Sequence, residues 1–359
     1  MYLEKLTLIN YKNFKNFETE FDSEINCVIG ANGTGKSTVL DAVYHLCFTK
    51  GYFNHLSTQN ISHGEDFFVV EGGFNKNEKD ITVHISFKKN HKKVVKQNGK
   101  VYTKISEHIG QLPLVIISPM DIDLIVEGSD TRRKFLDGMI AQNDRIYLEH
   151  LLQYNAALNQ RNALLKYFSA NNTFQQDTLE VYNRQLIEFG EQLHKKRMEF
   201  VTDFETQFIQ QYEHLSQSNE VVSLGYKSDL IENEFEVLLR DSLAKDRMAQ
   251  YTTKGIHKDD LQFNLSGHPI KRFGSQGQQK TFLIALKLAQ YKLLNQRNNI
   301  KPILLLDDIF DKLDHRRVTH LVQLVKEKTF GQVFISDTDL KRTKEVVEQT
   351  NQSFKIIEF

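Results

Sequence analysis

The sequence is poor in cysteine and carries no net charge, and each deficit excludes a class of protein. Only Cys27 and Cys47 occur in 359 residues, which excludes a disulfide framework and a cysteine-rich metal site. Both lie in apolar segments, so we expect buried free thiols. The 46 basic residues balance 46 acidic ones, so no global field attracts the chain to nucleic acid or membrane. Any site for a polyanion must therefore be a local patch.

Long apolar runs are also missing. No apolar run reaches membrane-spanning length, and the first residues show no signal-peptide pattern, so we expect a cytosolic protein with no membrane partner. Proline and clustered glycine are absent from residues 132–214, where apolar residues recur at helical spacing. The 25 phenylalanines and 40% hydrophobic residues suffice for a sizeable core, and the length predicts about two domains.

One glycine-rich stretch fits the phosphate-loop pattern of Gly, four residues, Gly, Lys and Ser or Thr. Glycines there keep side chains away from phosphate oxygens, so backbone N–H groups can surround a triphosphate. The lysine supplies a charge for the β- and γ-phosphates, and the serine hydroxyl can ligate Mg²⁺. A buried strand over 25–29 and a helix over 38–47 flank the loop, whereas a chance match would lack this context. The predicted nucleotide-binding residues are Gly30, Ala31, Asn32, Gly33, Thr34, Gly35, Lys36, Ser37 and Thr38.

A second candidate element is the apolar strand predicted at 302–308, which ends in two carboxylates. Ligands of open parallel sheets bind at the carboxyl ends of strands. Asp307 can therefore hold the Mg²⁺ that bridges the phosphates, and Asp308 can orient or deprotonate an attacking water. A pair of solvated acids is the alternative. We assign catalysis to Lys36 and Asp308, and the metal to Ser37 and Asp307.

A third element is the polar loop at 273–280, which opens an apolar helix predicted over 281–294. Such a helix N-terminus can bind an anion, but one chain does not need two triphosphate sites. We therefore expect this loop to cap the γ-phosphate held by a second copy, in an ATP-sandwiched homodimer with two composite sites. The alternative for this loop is an ordinary turn in which Ser275 caps the helix. The alternative for the later turn that contains Asp314 is a solvated turn. The residues expected to act across the dimer are Ser275, Gly277, Gln278 and Asp314.

The other patterns give a coarse outline of the fold. Strands are predicted at 3–10, 14–21, 114–117 and 333–336, and residues 67–104 read as a β-meander with a tight turn at Asn98–Gly99 before a strand at 100–104. Two long antiparallel helices, broken at 171–173, are predicted within 132–214. A short mixed segment at 221–226 and a helix over 233–248 follow.

The order of these elements is that of ABC-type ATPase heads, and in closer detail the chain resembles the RecF family of bacterial recombination mediators, in the SMC-like group. The resemblance spans nearly the whole chain. The segments Arg132–Asp137 and His257–Leu261 are the ones that narrow it from the superfamily to RecF. The positions that carry it are 10–14, 30–42, 118–119, 132–137, 154, 161–162, 257–261, 274–280 and 305–308.

The resemblance implies an α/β fold: an ABC-type P-loop ATPase head with an antiparallel β-meander, and an inserted, mostly helical second domain. The ATPase domain would comprise residues 1–120 and 256–359, and the insert residues 121–255. It further implies that ATP and Mg²⁺ drive a dimer that clamps double-stranded DNA near single-strand gaps. With RecR and RecO, that dimer would promote RecA loading, and slow, DNA-stimulated ATP hydrolysis would release it.

The chain departs from the family pattern at several places. Gly255–Ile256 stands where the family usually has Gly-Pro. Residues 311–312 differ from the usual Ser-Glu, so only Leu313 and Asp314 carry over. No histidine follows the strand at 333–336, which fits slow hydrolysis used as a switch. No glutamine lies in 118–123, where a glutamine loop is expected.

Phosphate contacts for DNA must come from local basic patches. A solvated charged face is the alternative for each patch, and Arg132 and Arg133 can instead pair with Asp130 or Asp137. Two other functions remain as alternatives for the whole protein. One is the energising subunit of a membrane transporter, which has the same ABC head, and the other is a scaffold in which ATP is a structural ligand. The candidate DNA contacts are Lys88, Lys89, Lys92, Lys93, Lys96, Arg132, Arg133, Lys134, Lys195, Lys196 and Arg197.

Overall fold

The computed structural model describes residues 1–216, 220–298, 300–308 and 315–359. In chain order the strands are β1 (Tyr2–Tyr11), β2 (Phe14–Glu20), β3 (Ile25–Ile29), β4 (Phe67–Lys76), β5 (Lys79–Lys88), β6 (Val94–Gln97), β7 (Lys100–Val101), β8 (Leu114–Ile117), β9 (Val222–Lys227), β10 (Asp260–Leu265), β11 (His268–Pro269), β12 (Ile303–Asp307), β13 (Val333–Asp337) and β14 (Phe354–Glu358).

Helices connect these strands and dominate the middle of the chain. Short 3₁₀ turns lie at Ser57–Asn60, Ile105–His108, Pro119–Ile122, Asp229–Ile231 and Ile256–Lys258. The α-helices are α1 (Lys36–Phe48), α2 (Asp123–Val126), α3 (Ser129–Ala141), α4 (Arg145–Ala170), α5 (Gln176–Ser216), α6 (Phe235–Asp241), α7 (Leu243–Ala249), α8 (Ile270–Phe273), α9 (Gln276–Asn298), α10 (His315–Lys326) and α11 (Leu340–Glu348). None of the helices in the described ranges is long and apolar enough to cross a membrane.

The chain forms two compact units, residues 1–121 with 280–359, and residues 122–279. The sequence boundary at 120/121 lies one residue from the first division. The second division falls at 279/280, whereas the sequence placed the return to the ATPase domain at 256. The difference arises because β10 (Asp260–Leu265) pairs antiparallel with β9 and therefore belongs to the helical unit.

The first unit contains a parallel sheet in the order β14-β3-β13-β12-β8. The strands β3, β8, β12 and β13 are continuous buried runs, as parallel sheets require. The register sets Asp307 beside Ser336, and Ser336 beside Val28. The carboxyl ends of β3, β13 and β12 therefore meet at one edge of the sheet, which is where the phosphate loop begins.

The same unit contains an antiparallel sheet in the order β2-β1-β4-β5-β6-β7. The predicted tight turn joins β6 to β7, with φ of 48° at Asn98 and 78° at Gly99. The strand predicted at 100–104 is shorter, since β7 ends at Val101. Helix α1 packs its apolar face between the sheets, in a core that includes Leu3, Leu6, Leu8, Val28, Val39, Val43, Leu46, Val70, Phe74, Leu305 and Phe334.

The second unit is built on α4 and α5, which pack against each other and are joined across the predicted break at 171–173. The sequence missed a further break at 142–144. There Asp144 caps α4, because its Oδ1 accepts a hydrogen bond of 2.9 Å from the backbone N–H of Tyr147. The helix predicted at 233–248 is also interrupted, with α6 and α7 separated by Ser242. Helix α9 starts at Gln276, earlier than the predicted 281.

Candidate functional site

The phosphate loop connects the end of β3 to the start of α1. Gly33 and Gly35 have φ of 84° and 123°, in the region that favours glycine. A Cβ on Gly30 would lie 2.7 Å from the Thr34 hydroxyl oxygen, so that position also has no room for a side chain. The backbone geometry therefore accounts for the three glycines that the sequence singled out.

Lys36 is the first residue of α1 and lies folded over the loop. Its Nζ donates hydrogen bonds to the carbonyl oxygens of Gly30, at 2.9 Å, and Ala31, at 3.0 Å. Gly35 precedes the helix and has no side chain to cap it, so the N–H groups of the first turn are suited to an anion. The lysine charge and the helix N-terminus thus act on the same small region, and this region fits a nucleotide phosphate.

The predicted metal ligands Ser37 and Asp307 are brought together although 270 positions separate them. The Ser37 hydroxyl donates to Oδ1 of Asp307 at 3.0 Å. The Ser336 hydroxyl donates to the same oxygen at 2.8 Å and accepts a hydrogen bond of 2.9 Å from the backbone N–H of Asp308. Burial raises the pKa of Asp307, while the hydroxyls of Ser336 and Ser37 oppose that rise. A carboxylate and a hydroxyl are the oxygen donors that Mg²⁺ prefers.

Asp308 lies one residue beyond β12 in a left-handed conformation, with φ of 46°. Such a conformation is uncommon outside glycine and is often found at functional sites. Its backbone N–H is held by Ser336, so the hydroxyl on β13 fixes the peptide between the two carboxylates. No role was predicted for Ser336; the available signal was a polar residue at the end of an apolar strand.

The turn between β1 and β2 contacts the phosphate loop, a second feature that the sequence reasoning missed. The side-chain amide of Asn13 donates to the carbonyl oxygen of Thr34 at 3.2 Å. The ring of Phe14 lies so close to Gly35 that any Cβ there would collide with it. Phe14 in turn stacks on Phe17, with ring centroids 4.7 Å apart. The aromatic flanks of this turn were the available signal.

The segment after β8, where a glutamine loop was expected, presents a buried acid instead. Asp121 forms an ion pair of 2.6 Å with Nζ of Lys287, and both side chains are buried. It also accepts hydrogen bonds from the Tyr52 hydroxyl, at 2.7 Å, and from the backbone N–H of Ser118, at 2.8 Å. Three donors of the first unit therefore hold the chain just before residue 122.

The loop at 275–278 belongs to the second unit and forms a reciprocal cap on α9. The backbone N–H of Ser275 donates to the Gln278 side chain at 2.7 Å, and the backbone N–H of Gln278 donates to the Ser275 hydroxyl at 3.2 Å. The Gln278 amide also donates to Glu220 at 2.6 Å. Local geometry thus matches the capping alternative, and action across a dimer stays a prediction. Asp314 lies outside the described residues.

Three of the candidate DNA contacts pair with acids or backbone within the second unit; pairing with acids was the stated alternative for Arg132 and Arg133, whereas it was not foreseen for Arg197. Arg197 is 2% exposed, and its guanidinium binds Asp137 at 2.8 Å and Asp259 at 2.8 Å. Arg132 pairs with both carboxylate oxygens of Asp260, at 2.8 and 3.1 Å. Its neighbour Arg133 donates to the carbonyl oxygen of Asp259 at 2.7 Å and pairs with Asp130 at 3.6 Å.

These pairs explain why two distant segments carry the family resemblance. Residues 132–137 on α3 and residues 257–261, at the start of β10, bind one another through the partly buried Arg132–Asp260 pair and the hydrogen bond from Arg133 to Asp259. Of the expected acid partners, Asp130 pairs with Arg133, at a distance of 3.6 Å. Arg132 pairs instead with Asp260, which was not expected. The Arg197 guanidinium, which is 2% exposed and bound to two carboxylates, has no free face for a DNA phosphate.

The remaining lysines differ in exposure. Lys89 pairs with Asp66 at 3.0 Å, and Lys93 donates to the carbonyl oxygen of Thr49 at 2.6 Å. Burial lowers the pKa of Lys93, which is consistent with its partly enclosed position. Lys88 and Lys92 are exposed at the tip of the β5–β6 hairpin.

His257 is a partly buried hydrogen-bonding residue between α4 and the chain that precedes β10. Its Nδ1 lies 2.8 Å from the Tyr154 hydroxyl, and its Nε2 lies 2.9 Å from the carbonyl oxygen of Thr252. Nε2 must therefore carry the proton and donate, while Nδ1 accepts from tyrosine. Burial lowers the pKa of His257 to about 4.

The parallel sheet, the phosphate loop and the Ser37–Asp307 pair define a P-loop ATPase head of the ABC type, accompanied by an antiparallel β-meander and a mostly helical insert. The family model described as RecF/RecN/SMC N terminal domain matches residues 2–358. A protein of Flavobacterium johnsoniae, "DNA replication and repair protein RecF", is 54% identical over 356 residues and covers 99% of both chains. The chain belongs to the RecF family of DNA replication and repair proteins.

Other relatives agree over the same length. The RecF of Phocaeicola vulgatus is 43% identical over 358 residues, covering 99% of this chain and 96% of its own. The solved structure of the recombination mediator protein RecF-ATPrS in the RecFOR pathway superposes with a TM-score of 0.88 at 28% identity, covering 100% of this chain and 96% of that one. An Smc head domain from Pyrococcus furiosus has a TM-score of 0.56 at 19% identity and shares the fold.

Proposed function

We propose that the chain is an ATP-dependent, DNA-binding recombination mediator. The observation that carries the proposal is the convergence of the phosphate loop, Ser37 and Asp307 at one edge of the parallel sheet, with 3.0 Å between hydroxyl and carboxylate. The relatives solved as RecF-ATPrS and RecF-ATP, both with a TM-score of 0.88, support ATP as the nucleotide. A RecF relative at 54% identity, covered over 99% of its length, supports a role in DNA replication and repair.

In this proposal ATP binds with its phosphates in the loop at 30–35 and over the N-terminus of α1. Lys36 leaves the carbonyl oxygens of Gly30 and Ala31 and pairs with the β- and γ-phosphates. Ser37 and Asp307 hold Mg²⁺, which supplies positive charge to the phosphates when bound. Ser336 keeps the Asp307 carboxylate oriented, and Asp308 orients the attacking water or takes its proton.

The second half of each site comes from another copy of the chain. Ser275, Gly277 and Gln278 act on the γ-phosphate of the partner, so ATP holds two copies together in a homodimer. In the cap on α9 the Ser275 oxygen accepts a hydrogen bond, which leaves its own hydroxyl hydrogen able to donate to a phosphate oxygen. Asp314 is proposed at the same interface. Slow hydrolysis then separates the copies.

DNA is the proposed polyanion, bound by the dimer as double-stranded DNA near single-strand gaps. With Arg132, Arg133 and Arg197 bound to acids, the surface lysines carry this role. Closing two copies on ATP would align two modest basic patches into one groove. RecR and RecO are the proposed partners, and RecA loading is the proposed outcome. The candidate contacts that keep exposed ammonium groups include Lys88, Lys92 and Lys195.

Sedimentation velocity with ATP and Mg²⁺ tests the proposal. We expect the wild type to dimerise, and Lys36→Met and Ser275→Arg each to stay monomeric. Asp308→Asn should bind ATP and remain dimeric for longer, because hydrolysis is slowed. Unchanged ATP-dependent dimerisation of both Lys36→Met and Ser275→Arg would exclude the sandwich mechanism, and faster hydrolysis by Asp308→Asn would contradict its role.

DNA retention on gapped and blunt duplex, with and without ATP and RecR, tests the biological part. We expect retention to need ATP and to increase with RecR and a gap. A transporter subunit would instead fractionate with membranes, and a scaffold would bind ATP with no turnover in the presence of DNA. The named relatives are DNA replication and repair proteins and give the transporter alternative no support.

A further inference from the structure

We propose that Asp41 is a positioning residue for the phosphate loop, and that it acts through the turn at residues 10–14. The proposal rests on nucleotide binding at this loop, as proposed above. Asp41 itself lies on the second turn of α1 and is fully buried. A buried carboxylate in the middle of an apolar helix face needs several donors to offset its desolvation.

Asp41 has four such donors, and they come from two other parts of the chain. Its Oδ2 accepts from the Tyr11 hydroxyl at 2.9 Å and pairs with Nζ of Lys12 at 2.5 Å. Its Oδ1 accepts from the backbone N–H groups of Tyr52, at 2.5 Å, and Phe53, at 3.2 Å. The carboxylate therefore joins α1 to the β1–β2 turn and to the chain that follows α1.

The β1–β2 turn needs this support because its backbone is strained. Lys12 has φ of 51°, in the left-handed region that costs about 1–2 kcal/mol for a residue with a long side chain, and Asn10 has φ of 50°, which asparagine tolerates more easily. The backbone of Lys12 is held from the other side, where its N–H donates to the carbonyl oxygen of Asn60 at 2.9 Å and its carbonyl oxygen accepts from Ser62 at 2.7 Å. Its ammonium group is the part held by Asp41.

The two residues after Lys12 are the ones that touch the phosphate loop. Asn13 donates to the carbonyl oxygen of Thr34 at 3.2 Å, and the Phe14 ring covers Gly35. A path of direct contacts thus runs from Asp41 through Lys12 and the next two residues to the loop. Loss of the ion pair would free the strained turn to relax, and the loop would lose both contacts. Effective nucleotide sites depend on such preorganisation.

The experiment leaves Asp41 in place, because a change at that fully buried position could unfold the protein; it varies the partly buried Lys12 and the exposed Asn13. Lys12→Met removes the charge and keeps the stem, Lys12→Arg restores a charge, and Asn13→Ala removes only the contact to Thr34. Lys15→Met is the matched control, since Lys15 is exposed on the neighbouring strand. Each variant is measured for binding of a fluorescent ATP analogue with Mg²⁺, for its apo thermal midpoint, and for hydrogen exchange at residues 30–36 without nucleotide.

We expect Lys12→Met and Asn13→Ala to weaken nucleotide binding about tenfold and to speed exchange in the loop, with the apo midpoint of Asn13→Ala unchanged. Lys12→Arg should recover most of the affinity, and Lys15→Met should match the wild type. Wild-type affinity and wild-type loop exchange in both Lys12→Met and Asn13→Ala would overturn the positioning role. If the wild type binds no ATP, the proposed function fails, and loop exchange still decides the role of Asp41.

Discussion

Replacing Arg197 by methionine should destabilise the protein strongly, although its neighbours Lys195 and Lys196 suggest an exposed basic run. The guanidinium is buried on α5 and donates to Asp137 at 2.8 and 3.0 Å, to Asp259 at 2.8 Å and to the carbonyl oxygen of Ile256 at 2.8 Å. Methionine preserves the apolar stem but leaves both carboxylates without their cation. The change therefore isolates the charge from the packing.

The magnitude follows from the burial of the two acids. Removing one partner of a buried ion pair costs about 3–5 kcal/mol, because a charge stays behind in a poorly solvated place. The Asp259 side chain is 2% exposed, and that of Asp137 is 17% exposed and can recover some water. Tyr226 still donates to Asp259 at 2.5 Å. These compensations favour the lower end of the range, about 3 kcal/mol.

Urea unfolding of the full chain measures the effect, with Lys195→Met as the control. Lys195 is exposed on the same helix, so its replacement should change the free energy of unfolding by less than about 0.5 kcal/mol. Adding Asp259→Asn to Arg197→Met should recover part of the loss, because the added change removes one stranded charge. The reasoning is refuted if Arg197→Met is as stable as Lys195→Met and loses only DNA affinity.

Two further predictions concern titratable groups whose pKa is shifted by burial. Burial lowers the pKa of His257 to about 4 and of His45 to about 3, so both bind protons more weakly in the folded state than in the unfolded state. The free energy of unfolding should therefore fall as the pH drops below about 6.5, by about 2 kcal/mol per histidine between pH 7 and pH 5. The thermal midpoint of His257→Gln should fall less over this pH range than that of the wild type. An equal fall in the variant and the wild type would contradict this. Burial raises the pKa of Asp307, which makes its ionised form costly at neutral pH, so Asp307→Asn should raise the apo midpoint while losing Mg²⁺-dependent nucleotide binding. A lowered midpoint would show that the hydroxyls of Ser37 and Ser336 more than offset the buried charge.

The local part of the site could be predicted from sequence. The phosphate loop, the strand before it and the helix after it are contiguous, so spacing and composition determine them. Asp307 could be placed at a sheet edge because an apolar run ended there. The family resemblance, carried by short segments spread along the chain, is confirmed by relatives that span its full length.

The supporting contacts could not be predicted, because they join residues far apart in sequence. Ser336 reaches Asp307 only through the pairing of β12 with β13, and Asn13 reaches Thr34 across 21 positions. Strand β14 joins the parallel sheet beside β3, yet its burial is incomplete and it lacks the apolar run of the other strands. Such features depend on tertiary structure and not on local pattern.

Arg197 was misassigned for a different reason. A run of three basic residues on a helix indicates a solvated face, and that interpretation holds for Lys195. The helical period contained the contrary signal, since Leu193, Arg197, Phe200 and Phe204 fall on one face, and all four are buried. A cation on an apolar face indicates a buried ion pair, and Asp137 and Asp259, in the segments that carry the family resemblance, are its partners.

Sedimentation velocity on an equimolar mixture of Lys36→Met and Ser275→Arg tests the central claim most directly. In a sandwich dimer of these two variants, one site lacks both functional halves, and the other combines an intact phosphate loop with an intact Ser275 loop. The account predicts that each variant alone is monomeric with ATP and Mg²⁺, and that the mixture forms an ATP-dependent dimer. A mixture that stays monomeric while the wild type dimerises would contradict the claim that each site is completed by the partner.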